Sequence, residues 1–368
     1  MLGVFLFLML KWLYSFNKFN HHKKMKKVRV AINGFGRIGR AFYKLARTRP
    51  ELEIVAVNDL GDPENMAYLL KYDTAYGKAH FNVEVVGGDE PGFIVDGAKV
   101  ALIQEKDATK LPWAKYNVDV VVESTGFFTS YEKSKVHLDA GAKRVVITAP
   151  VKGEEVAGIT GATVLMGIND ALLATCQISS NASCTTNAAS PLIHILNETI
   201  GIEKALLNTT HAYTGTQKIV DGPGGKDFRG GRAAAQNMIP GSTGAAIAVT
   251  EAVPSLTGKF DGIAIRVPVV AGSIADITFI AKRNTTAEEV NQILRDAAKD
   301  PKWEGIFTVT EEAVVSSDII GNLYGAMADL ELTRVVDGNL VKVMSWYDNE
   351  MGYTNTLVKH VVKVAENL

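Results

Sequence analysis

The sequence predicts an α/β domain built on a parallel sheet, followed by an α+β domain built on a mainly antiparallel sheet. The 368 residues are enough for about two domains. In the first half, short apolar strands alternate with helical patterns, which is typical of a parallel sheet covered on both faces. In the second half the strands are longer and crossovers are few, which favours antiparallel pairing.

The first half opens with residues 28–32 (VRVAI), a predicted strand that leads into a glycine-rich turn and a helical pattern. A second strand is predicted at 54–58, directly before Asp59. Further elements of this half are expected at 118–124, 144–148 and 163–167 as strands and near 131–141 as a helix.

The second half begins with a predicted helix at 184–200, in which Pro191 should introduce a kink or a break. Residues 204–214 are predicted to be a strand that runs into a loop. Residues 222–231, with five glycines, are predicted to be a long flexible excursion. The remaining expected elements are strands at 261–267, 274–283 and 340–347, a helix near 286–299, and a closing helix with Leu357, Val358, Val361, Val362 and Ala365 on one face.

The composition is that of an ordinary globular enzyme, with 47% hydrophobic and 21% charged residues. With 39 basic and 40 acidic residues, the net charge of −1 gives no general reason to bind nucleic acid or an anionic membrane. The two cysteines, Cys176 and Cys184, cannot build a disulfide framework, so neither secretion nor a zinc site is suggested, and no metal is expected.

Residues 1–24 differ from the rest, because they hold six aromatic residues, four lysines and no acid. Residues 25–368 therefore carry 35 basic and 40 acidic side chains. The apolar run 2–10 is too short to span a bilayer, so no membrane span is expected. Residues 1–24 are interpreted as an extension outside the fold, with Met25 a plausible start. A membrane-surface anchor and an export signal are the alternatives.

The turn after the first strand carries a dinucleotide fingerprint. Gly34, Gly36 and Gly39 fit G-x-G-x-x-G between a strand and a helix, and Asp59 ends the next strand. Glycines let the backbone approach a pyrophosphate at the helix N-terminus, as in a Rossmann-type domain. The Asp59 carboxylate would bind a ribose and repel a 2′-phosphate, which favours NAD over NADP. A tight turn without a ligand is the alternative.

Cys184 lies in the run SNASCTTN, before an apolar helix. Ser183 is a natural N-cap, so the sulfur is expected in the first helical turn, where partial positive charge favours a thiolate. His211 is the best histidine partner, because it ends a strand of the second half and opens a polar loop. The residues alone leave a buried core cysteine and a core histidine open, and Cys176 is interpreted as such a core cysteine.

Two further segments could bind anions. Residues 241–246 (GSTGAA) place hydroxyls and glycines before a helix, which suits either a phosphate or a simple helix cap. Arg266 interrupts an apolar strand between Ile265 and Val267, where its guanidinium needs a phosphate or a buried acid.

Taken together, these motifs resemble those of the phosphorylating glyceraldehyde-3-phosphate dehydrogenases from about Val28 to the C-terminus. The motifs that carry the resemblance are NGFGRIGR at 33–40, ASCTTN at 182–187, RVP at 266–268 and SWYDNEMGY at 345–353. The resemblance implies an NAD-binding domain at 25–183, joined by the C-terminal helix 350–368, and a catalytic domain at 184–349.

The resemblance also implies a role for each matching position. Cys184 would be the nucleophile and His211 its activator. The implied cofactor contacts are Gly34, Gly36 and Gly39, Arg37 and Ile38 through the backbone, Asp59, Thr148, Asn349 and, in a loosely aligned segment, Lys106. Thr214 and Arg266 would hold the substrate phosphate, and Ser183, Thr185, Thr243 and Gly244 would bind inorganic phosphate.

The implied reaction is glycolytic: NAD-dependent oxidative phosphorylation of D-glyceraldehyde 3-phosphate to 1,3-bisphosphoglycerate, through a hemithioacetal and a thioester. A cytoplasmic homotetramer is expected, with residues 222–231 between subunits. The alternatives are erythrose-4-phosphate dehydrogenase on the same scaffold, aspartate-semialdehyde dehydrogenase, whose motifs differ, and a secondary binding role toward RNA or a cell surface.

Overall fold

A computed structural model describes residues 27–151, 153, 156–225 and 227–368 of the chain. The extension expected at residues 1–24 lies outside these residues. The helices are Arg37–Ala46 (α1), Pro63–Lys71 (α2), Tyr131–Asp139 (α3), Cys184–Thr199 (α4), Ala245–Ala252 (α5), Ala287–Ala297 (α6) and Met351–Ala365 (α7). Five short 3₁₀ turns lie at Ala108–Lys110, Asp170–Ala174, Pro254–Leu256, Pro301–Trp303 and Ser316–Ile319.

The strands form two large sheets and one small hairpin. The strands of the first sheet and the hairpin are Val28–Asn33 (β1), Leu52–Asn58 (β2), Tyr72–Asp73 (β3), Gly77–Lys78 (β4), Val83–Val86 (β5), Gly92–Val95 (β6), Ala98–Ile103 (β7), Val120–Glu123 (β8), Arg144–Ile147 (β9), Gly161–Thr163 (β10) and Ile178–Ser180 (β11). Those of the second sheet are Ile202–Ala212 (β12), Ile239–Ser242 (β13), Phe260–Val267 (β14), Ser273–Ala281 (β15), Phe307–Thr310 (β16), Ala326–Val336 (β17) and Leu340–Tyr347 (β18).

The first sheet has nine strands in the order β10-β11-β9-β8-β1-β2-β7-β6-β5. Pairing is parallel from β10 to β7 and antiparallel only at the β7-β6-β5 edge. Strand order reverses around β1, which pairs with β2 on one side and β8 on the other. The carboxyl ends of these three strands therefore meet at one edge, where open α/β sheets bind their ligands.

The second sheet has seven strands in the order β13-β14-β12-β15-β18-β17-β16. Most of its pairs are antiparallel, and β12–β14 and β16–β17 are parallel. The amphipathic β15 alternates buried and half-buried positions, as a strand with one covered face does. The predicted fold class, a parallel-sheet nucleotide domain with a mainly antiparallel catalytic domain, is confirmed.

Helix α4 covers the second sheet and packs against β12, β15, β17 and β18. Leu192, Ile193 and Leu196 are buried there. The expected break at Pro191 is wrong, because the helix runs through this residue, and the alternative of a kink stays a prediction. Apolar burial on both sides of Pro191 offsets the hydrogen bond that its missing N–H cannot make.

The predicted position of one strand is also wrong. Residues 163–167 were expected to form a strand, but β10 covers Gly161–Thr163 and the chain then turns. Val164 and Leu165 are fully buried, so their apolar character reflects burial rather than strand pairing. The closing helix is where it was predicted, and it packs back against α1 of the first sheet. None of the helices in the described residues is long and apolar enough to cross a bilayer.

Candidate active site

The glycine turn between β1 and α1 is shaped by the space that each glycine leaves. Gly34 has a left-handed φ of 95°, and a Cβ there would lie 2.7 Å from the amide nitrogen of Thr125. A Cβ on Gly39 would lie 2.1 Å from the Gly34 carbonyl oxygen. At Gly36 a Cβ would meet nothing within 4 Å. The first and third glycines therefore allow close backbone contacts in the turn, and the second leaves open space beside the helix.

The N-terminus of α1 faces that open space. Within the described part of the chain, no side chain caps this helix, and its first turn carries no acid. The partial positive charge of the first-turn amides is thus available to an anion such as a pyrophosphate. The side chain of Arg37 is directed elsewhere, onto Glu350 and Asp73.

Asp59 lies at the end of β2, on the wall of a cleft of about 500 Å³. The backbone fixes both carboxylate oxygens: Oδ2 accepts from the Phe35 amide at 2.6 Å, and Oδ1 from the Gly61 amide at 2.9 Å. Gly34, Gly36 and Lys106 line the same cleft. These residues fit a dinucleotide, because the cleft joins an acid suited to ribose hydroxyls with an uncapped helix N-terminus.

A buried chain of hydrogen bonds supports the floor of this cleft, and sequence reasoning missed it. Glu123 accepts from Asn33 Nδ2 at 2.6 Å and lies 3.0 Å from His137 Nε2. Asn58 Nδ2 donates to Asn33 Oδ1 at 2.7 Å. The indole of Trp113 donates to His137 Nδ1, so the proton of the neutral histidine is on Nε2, facing Glu123. This series of hydrogen bonds holds the carboxyl ends of β1, β2 and β8 together.

Cys184 is the first residue of α4. Ala182, with a left-handed φ of 55°, turns the chain from β11 toward the helix. The Ser183 hydroxyl accepts from the Thr186 amide at 3.0 Å, so the predicted N-cap is confirmed. Cys184 is half-buried and lines a second cleft of about 440 Å³ between the two sheets. Cys176 is buried and, like Cys184, unbridged, as interpreted from the sequence.

The structure brings Cys184 and His211 together. Cys184 Sγ lies 3.3 Å from His211 Nε2. His211 is at the end of β12, and its Nδ1 lies 2.6 Å from the carbonyl oxygen of Ala212. A proton on Nδ1 would satisfy this fixed carbonyl and leave Nε2 as an acceptor facing the thiol.

Burial controls the charge of this pair. Burial raises the pKa of the Cys184 thiol, and the positive charge of Arg266 and the hydrogen bonds at Thr185 oppose the rise only in part. Burial, followed by the charge of Arg266, lowers the pKa of His211 to about 3. Burial thus opposes the thiolate that the helix N-terminus favours, and both shifts favour a neutral thiol beside a neutral imidazole.

Arg266 projects from β14 beside His211. In the described residues its guanidinium bonds to His211 Nδ1 at 2.6 Å and to the Ala212 carbonyl oxygen at 3.3 Å, and no carboxylate pairs with it. The contact with Nδ1 cannot coexist with a proton on that nitrogen. Because the side chain can move and the Ala212 carbonyl cannot, Arg266 is the group that an incoming anion would draw away. The alternative of a structural salt bridge at Arg266 is therefore not found among the described residues.

Thr214 lies in the loop after β12 and lines the cleft of Cys184. Gln217, which sequence reasoning missed, accepts from the Thr214 amide at 2.7 Å and thereby shapes this loop. Arg266 and Gln217 line an adjoining cavity of about 460 Å³. Thr216 lines both spaces, so they adjoin at this residue.

The second predicted anion site is only partly assembled from side chains. The hydroxyl of Ser183 caps α4, and the hydroxyl of Thr185 is buried against Tyr347 Oη at 2.8 Å. The Thr185 hydroxyl therefore has a protein partner in Tyr347, and its role in binding phosphate stays a prediction. Thr243 and Gly244 lie at the N-terminus of α5, which packs against α4.

The remaining predicted cofactor residues line the catalytic cleft. Ile38, Thr148 and Asn349 all face the space in front of Cys184. Asn349 is buried, and its Oδ1 accepts from the Ser273 hydroxyl at 3.1 Å. Tyr347 bonds to Thr209 and Thr185 and places its ring edge against His211. Ser273 and Tyr347 gave no sequence signal of their own, although Tyr347 lies within the motif at 345–353.

The fold and the two clefts define a dinucleotide-dependent dehydrogenase with a cysteine and a histidine at the end of the cofactor cleft. Within the described residues, no group of three or more His, Cys, Asp or Glu could hold a metal ion. The family model "Glyceraldehyde 3-phosphate dehydrogenase, NAD binding domain" matches residues 28–131, and its C-terminal counterpart matches residues 183–349.

The chain belongs to the glyceraldehyde-3-phosphate dehydrogenase family. It is 46% identical over 336 residues to glyceraldehyde-3-phosphate dehydrogenase of Clostridium pasteurianum, covering 90% of this chain and 96% of the relative. It is 45% identical to glyceraldehyde-3-phosphate dehydrogenase 3 of Saccharomyces cerevisiae, covering 91% and 99%, and 45% identical to the enzyme of Streptomyces coelicolor, covering 93% and 99%.

These matches confirm the predicted family, the predicted enzyme class and the predicted cofactor. The protein is an NAD-dependent oxidoreductase of the glycolytic glyceraldehyde-3-phosphate dehydrogenase family. Nothing in the matches or the clefts favours erythrose 4-phosphate, the alternative weighed from the sequence.

Proposed function

We propose that the protein oxidises and phosphorylates D-glyceraldehyde 3-phosphate, with Cys184 as nucleophile and His211 as base. The observation that carries this proposal is the 3.3 Å contact between Cys184 Sγ and His211 Nε2 at the end of the cofactor cleft. A thiol beside an imidazole acceptor is the arrangement that covalent catalysis on an aldehyde requires.

The neutral resting pair defines the first step. As sulfur attacks the aldehyde carbon, the thiol proton passes to His211 Nε2, and the histidine then returns it to the new alkoxide to give a hemithioacetal on Cys184. Once the substrate phosphate draws Arg266 away from Nδ1, a proton on Nδ1 bonds to the Ala212 carbonyl, and Nε2 is the reacting nitrogen. Arg266 disfavours a lasting imidazolium, because it places a second positive charge beside the ring.

In the oxidation step, His211 takes the hydroxyl proton of the hemithioacetal, which leaves a thioester on Cys184. NAD, when bound, supplies the hydride acceptor. The chain's residues orient this step: Asn349 would bind the nicotinamide amide, Thr148 would flank it, and Asp59 would hold the adenosine ribose. Gly34, Gly36, Gly39 and the backbone of Arg37 and Ile38 would hold the pyrophosphate, with Lys106 near the adenine.

Two phosphates need two anion sites. We place the substrate phosphate at Thr214 and Arg266, because the guanidinium has no carboxylate partner in the described residues and faces a cavity that adjoins the Cys184 cleft at Thr216. We place inorganic phosphate at Ser183, Thr243, Gly244 and the backbone of Thr185, where two helix N-termini lie together. Its attack on the thioester would release the acyl phosphate and free Cys184.

The test is NAD reduction measured with and without inorganic phosphate, on glyceraldehyde 3-phosphate and on erythrose 4-phosphate. The proposal expects steady turnover only with phosphate, and a higher kcat/KM for glyceraldehyde 3-phosphate. Phosphate-independent steady turnover would contradict the thioester route. A higher kcat/KM for erythrose 4-phosphate would reverse the substrate assignment.

We further propose a homotetramer. The stretch between β12 and β13 exposes four large apolar side chains, namely Ile219, Val220, Phe228 and Met238. Such a patch is typical of a protein interface. Light scattering that reports a stable monomer would contradict this assembly.

We also propose the domain division expected from the sequence, at 25–183 with 350–368 and at 184–349. The membership of the two sheets and the packing of α7 on α1 support it. A cytoplasmic location is proposed on the ground that a reducing compartment keeps Cys184 a free thiol.

A further inference from the structure

Arg37 begins α1 directly behind the glycine turn, yet its guanidinium is engaged by carboxylates. Nε donates to Glu350 Oε1 at 2.8 Å, Nη2 bonds to Glu350 Oε2, and Nη1 donates to Asp73 Oδ2 at 2.9 Å. The hydrogen bond with Glu350 raises the pKa of Arg37 above its ordinary value. Because Glu350 directly precedes α7, the bidentate pair joins the glycine turn to the start of the last helix.

Asp348, two residues earlier, is a buried carboxylate with every oxygen in use. Its Oδ1 accepts from the amides of Glu350 and Met351 at 2.9 Å and from the phenol of Tyr76 at 2.8 Å. Its Oδ2 accepts from the Gly321 amide at 2.7 Å. Asp348 therefore accepts from the first amide of α7 and attaches the start of this helix to the β3–β4 hairpin, which carries Tyr76.

Asn349 lies between these two anchored acids and lines the cleft in front of Cys184. Its Oδ1 accepts from Ser273, which turns the amide nitrogen away from that serine. Asn349 is thus fixed by Ser273 through its own side chain and by its two neighbours through theirs.

We propose that the Arg37–Glu350 pair and the Tyr76–Asp348 bond form a positioning latch for Asn349. The latch couples the glycine turn, where the pyrophosphate binds, to the residue that meets the nicotinamide. This inference rests on the proposed role of Asn349. Arg37, Tyr76, Asp348 and Glu350 act through Asn349 and are positioning residues.

A cluster that served only the stability of the fold would behave differently from a latch. Loosening such a cluster would weaken every ligand of the cofactor cleft by the same factor. Loosening the latch would weaken NAD and spare ADP-ribose, which lacks the nicotinamide but keeps the adenosine and both phosphates.

The experiment compares NAD and ADP-ribose binding by calorimetry in the full chain. Glu350→Gln should raise the Kd of NAD about tenfold, the scale of one charge-assisted hydrogen bond, and change the Kd of ADP-ribose less than about twofold. Tyr76→Phe, which removes a single hydroxyl, should raise the Kd of NAD by a smaller factor and likewise leave the Kd of ADP-ribose within about twofold. The matched control is Arg47→Gln, which breaks the Arg47–Asp96 pair at the other end of α1 and should change neither Kd.

Equal weakening of both ligands in Glu350→Gln and Tyr76→Phe would overturn the latch, as would no change in either variant. Asn349→Ala separates this failure from failure of the proposed function. If Asn349→Ala selectively weakens NAD while the latch variants do not, the latch alone is wrong. If Asn349→Ala leaves the ratio of the two Kd values unchanged, the role of Asn349 and the latch built on it are both wrong.

Discussion

The two clefts of this protein use charge in opposite ways. At the cofactor cleft, backbone amides hold Asp59, and Asn33 and His137 hold Glu123 beneath the floor, so both carboxylates have hydrogen-bond donors. Beside the catalytic cleft, the charged group next to His211 is Arg266, which has no carboxylate partner in the described residues. The acids of the first site already have hydrogen-bond partners without a ligand, whereas the guanidinium at the second site has no anion to balance its charge.

This difference indicates how the two sites divide their tasks. A satisfied acidic wall suits ribose hydroxyls, which donate hydrogen bonds without a change in charge. An unpaired guanidinium beside His211 suits a phosphate that brings two negative charges. The catalytic cleft should therefore be far more sensitive than the cofactor cleft to the loss of one side chain.

The largest expected effect is that of Cys184→Ala. Without the sulfur no covalent intermediate forms, so turnover should fall by at least about four orders of magnitude. The Kd of NAD, measured by calorimetry, should stay within twofold because the cofactor cleft is untouched. Cys176→Ala, at the buried cysteine, is the matched control and should keep its activity. Turnover of Cys184→Ala within tenfold of the wild type would refute the assignment.

His211→Ala should lower kcat by about 10²–10⁴-fold, the usual contribution of a general base. The Kd of NAD should again be unchanged, which would show that the effect is on catalysis rather than on cofactor binding. His194→Ala, on α4 but packed against Trp303, serves as the control and should turn over normally. A loss below threefold in His211→Ala would count against its role as base.

Arg266→Lys keeps a positive charge near His211 but loses the guanidinium fork. Its kcat/KM for glyceraldehyde 3-phosphate should fall about 10–100-fold, the scale of one or two hydrogen bonds to a charged group. The kcat/KM of the same variant for unphosphorylated glyceraldehyde should fall less than threefold. Equal losses on both aldehydes would mean that Arg266 serves His211 rather than the phosphate.

Asp59→Asn tests the cofactor cleft and should have a smaller effect. The KM of NAD should rise about tenfold, since one charged acceptor becomes neutral. The preference for NAD over NADP should narrow, because repulsion of a 2′-phosphate is removed. The control is Asp89→Asn, at an exposed position, which should change neither the KM of NAD nor the preference for NAD over NADP. An unchanged ratio of kcat/KM for NAD and NADP would show that Asp59 does not select the cofactor.

The smallest effect concerns the contact between α7 and the first sheet. His360 is buried between Ser179 and Asn181, and burial lowers its pKa to about 3. The unfolded chain binds a proton at this histidine below about pH 6.5, and the folded chain does not. Stability is therefore fully present above pH 6.5 and falls as the pH drops toward 3, by about 1.4 kcal/mol per pH unit for this histidine.

Urea unfolding of the wild type and of His360→Gln at pH 7 and pH 5 checks this slope. The variant should have a lower free energy of unfolding at pH 7, but this free energy should fall less than that of the wild type between pH 7 and pH 5. Identical losses in the two proteins would show that His360 is not held neutral by the fold.

The sequence predicted the parts of the site that depend on local chemistry. Gly34, Gly36 and Gly39 follow from the turn, Ser183 follows from capping, and Cys184 follows from its place after that cap. These features lie within a few residues of one another, so their physical reasons are visible in the chain. The family resemblance then indicated the partners that lie far away in the sequence.

What the sequence could not predict depends on contacts between distant elements. The Glu123–His137–Trp113 chain, the bond of Thr185 to Tyr347 and the Arg37–Glu350 pair each join strands or helices that meet only in the folded protein. The effect of burial on the pKa of Cys184 could not be predicted for the same reason, because the helix N-terminus is visible in the local sequence and burial is not. Pro191 shows the limit of local propensity, since packing of α4 on the second sheet overrides it.

The most direct test of the central claim is to trap the acyl group on Cys184. The enzyme is mixed with NAD and glyceraldehyde 3-phosphate without inorganic phosphate, quenched in acid, digested and mapped by mass spectrometry. The account predicts one NADH formed per subunit and one phosphoglyceroyl group, carried by the peptide that contains Cys184 and lost when phosphate is added before the quench. An acyl group on another residue, or one NADH per subunit with no acyl group on any peptide, would contradict it.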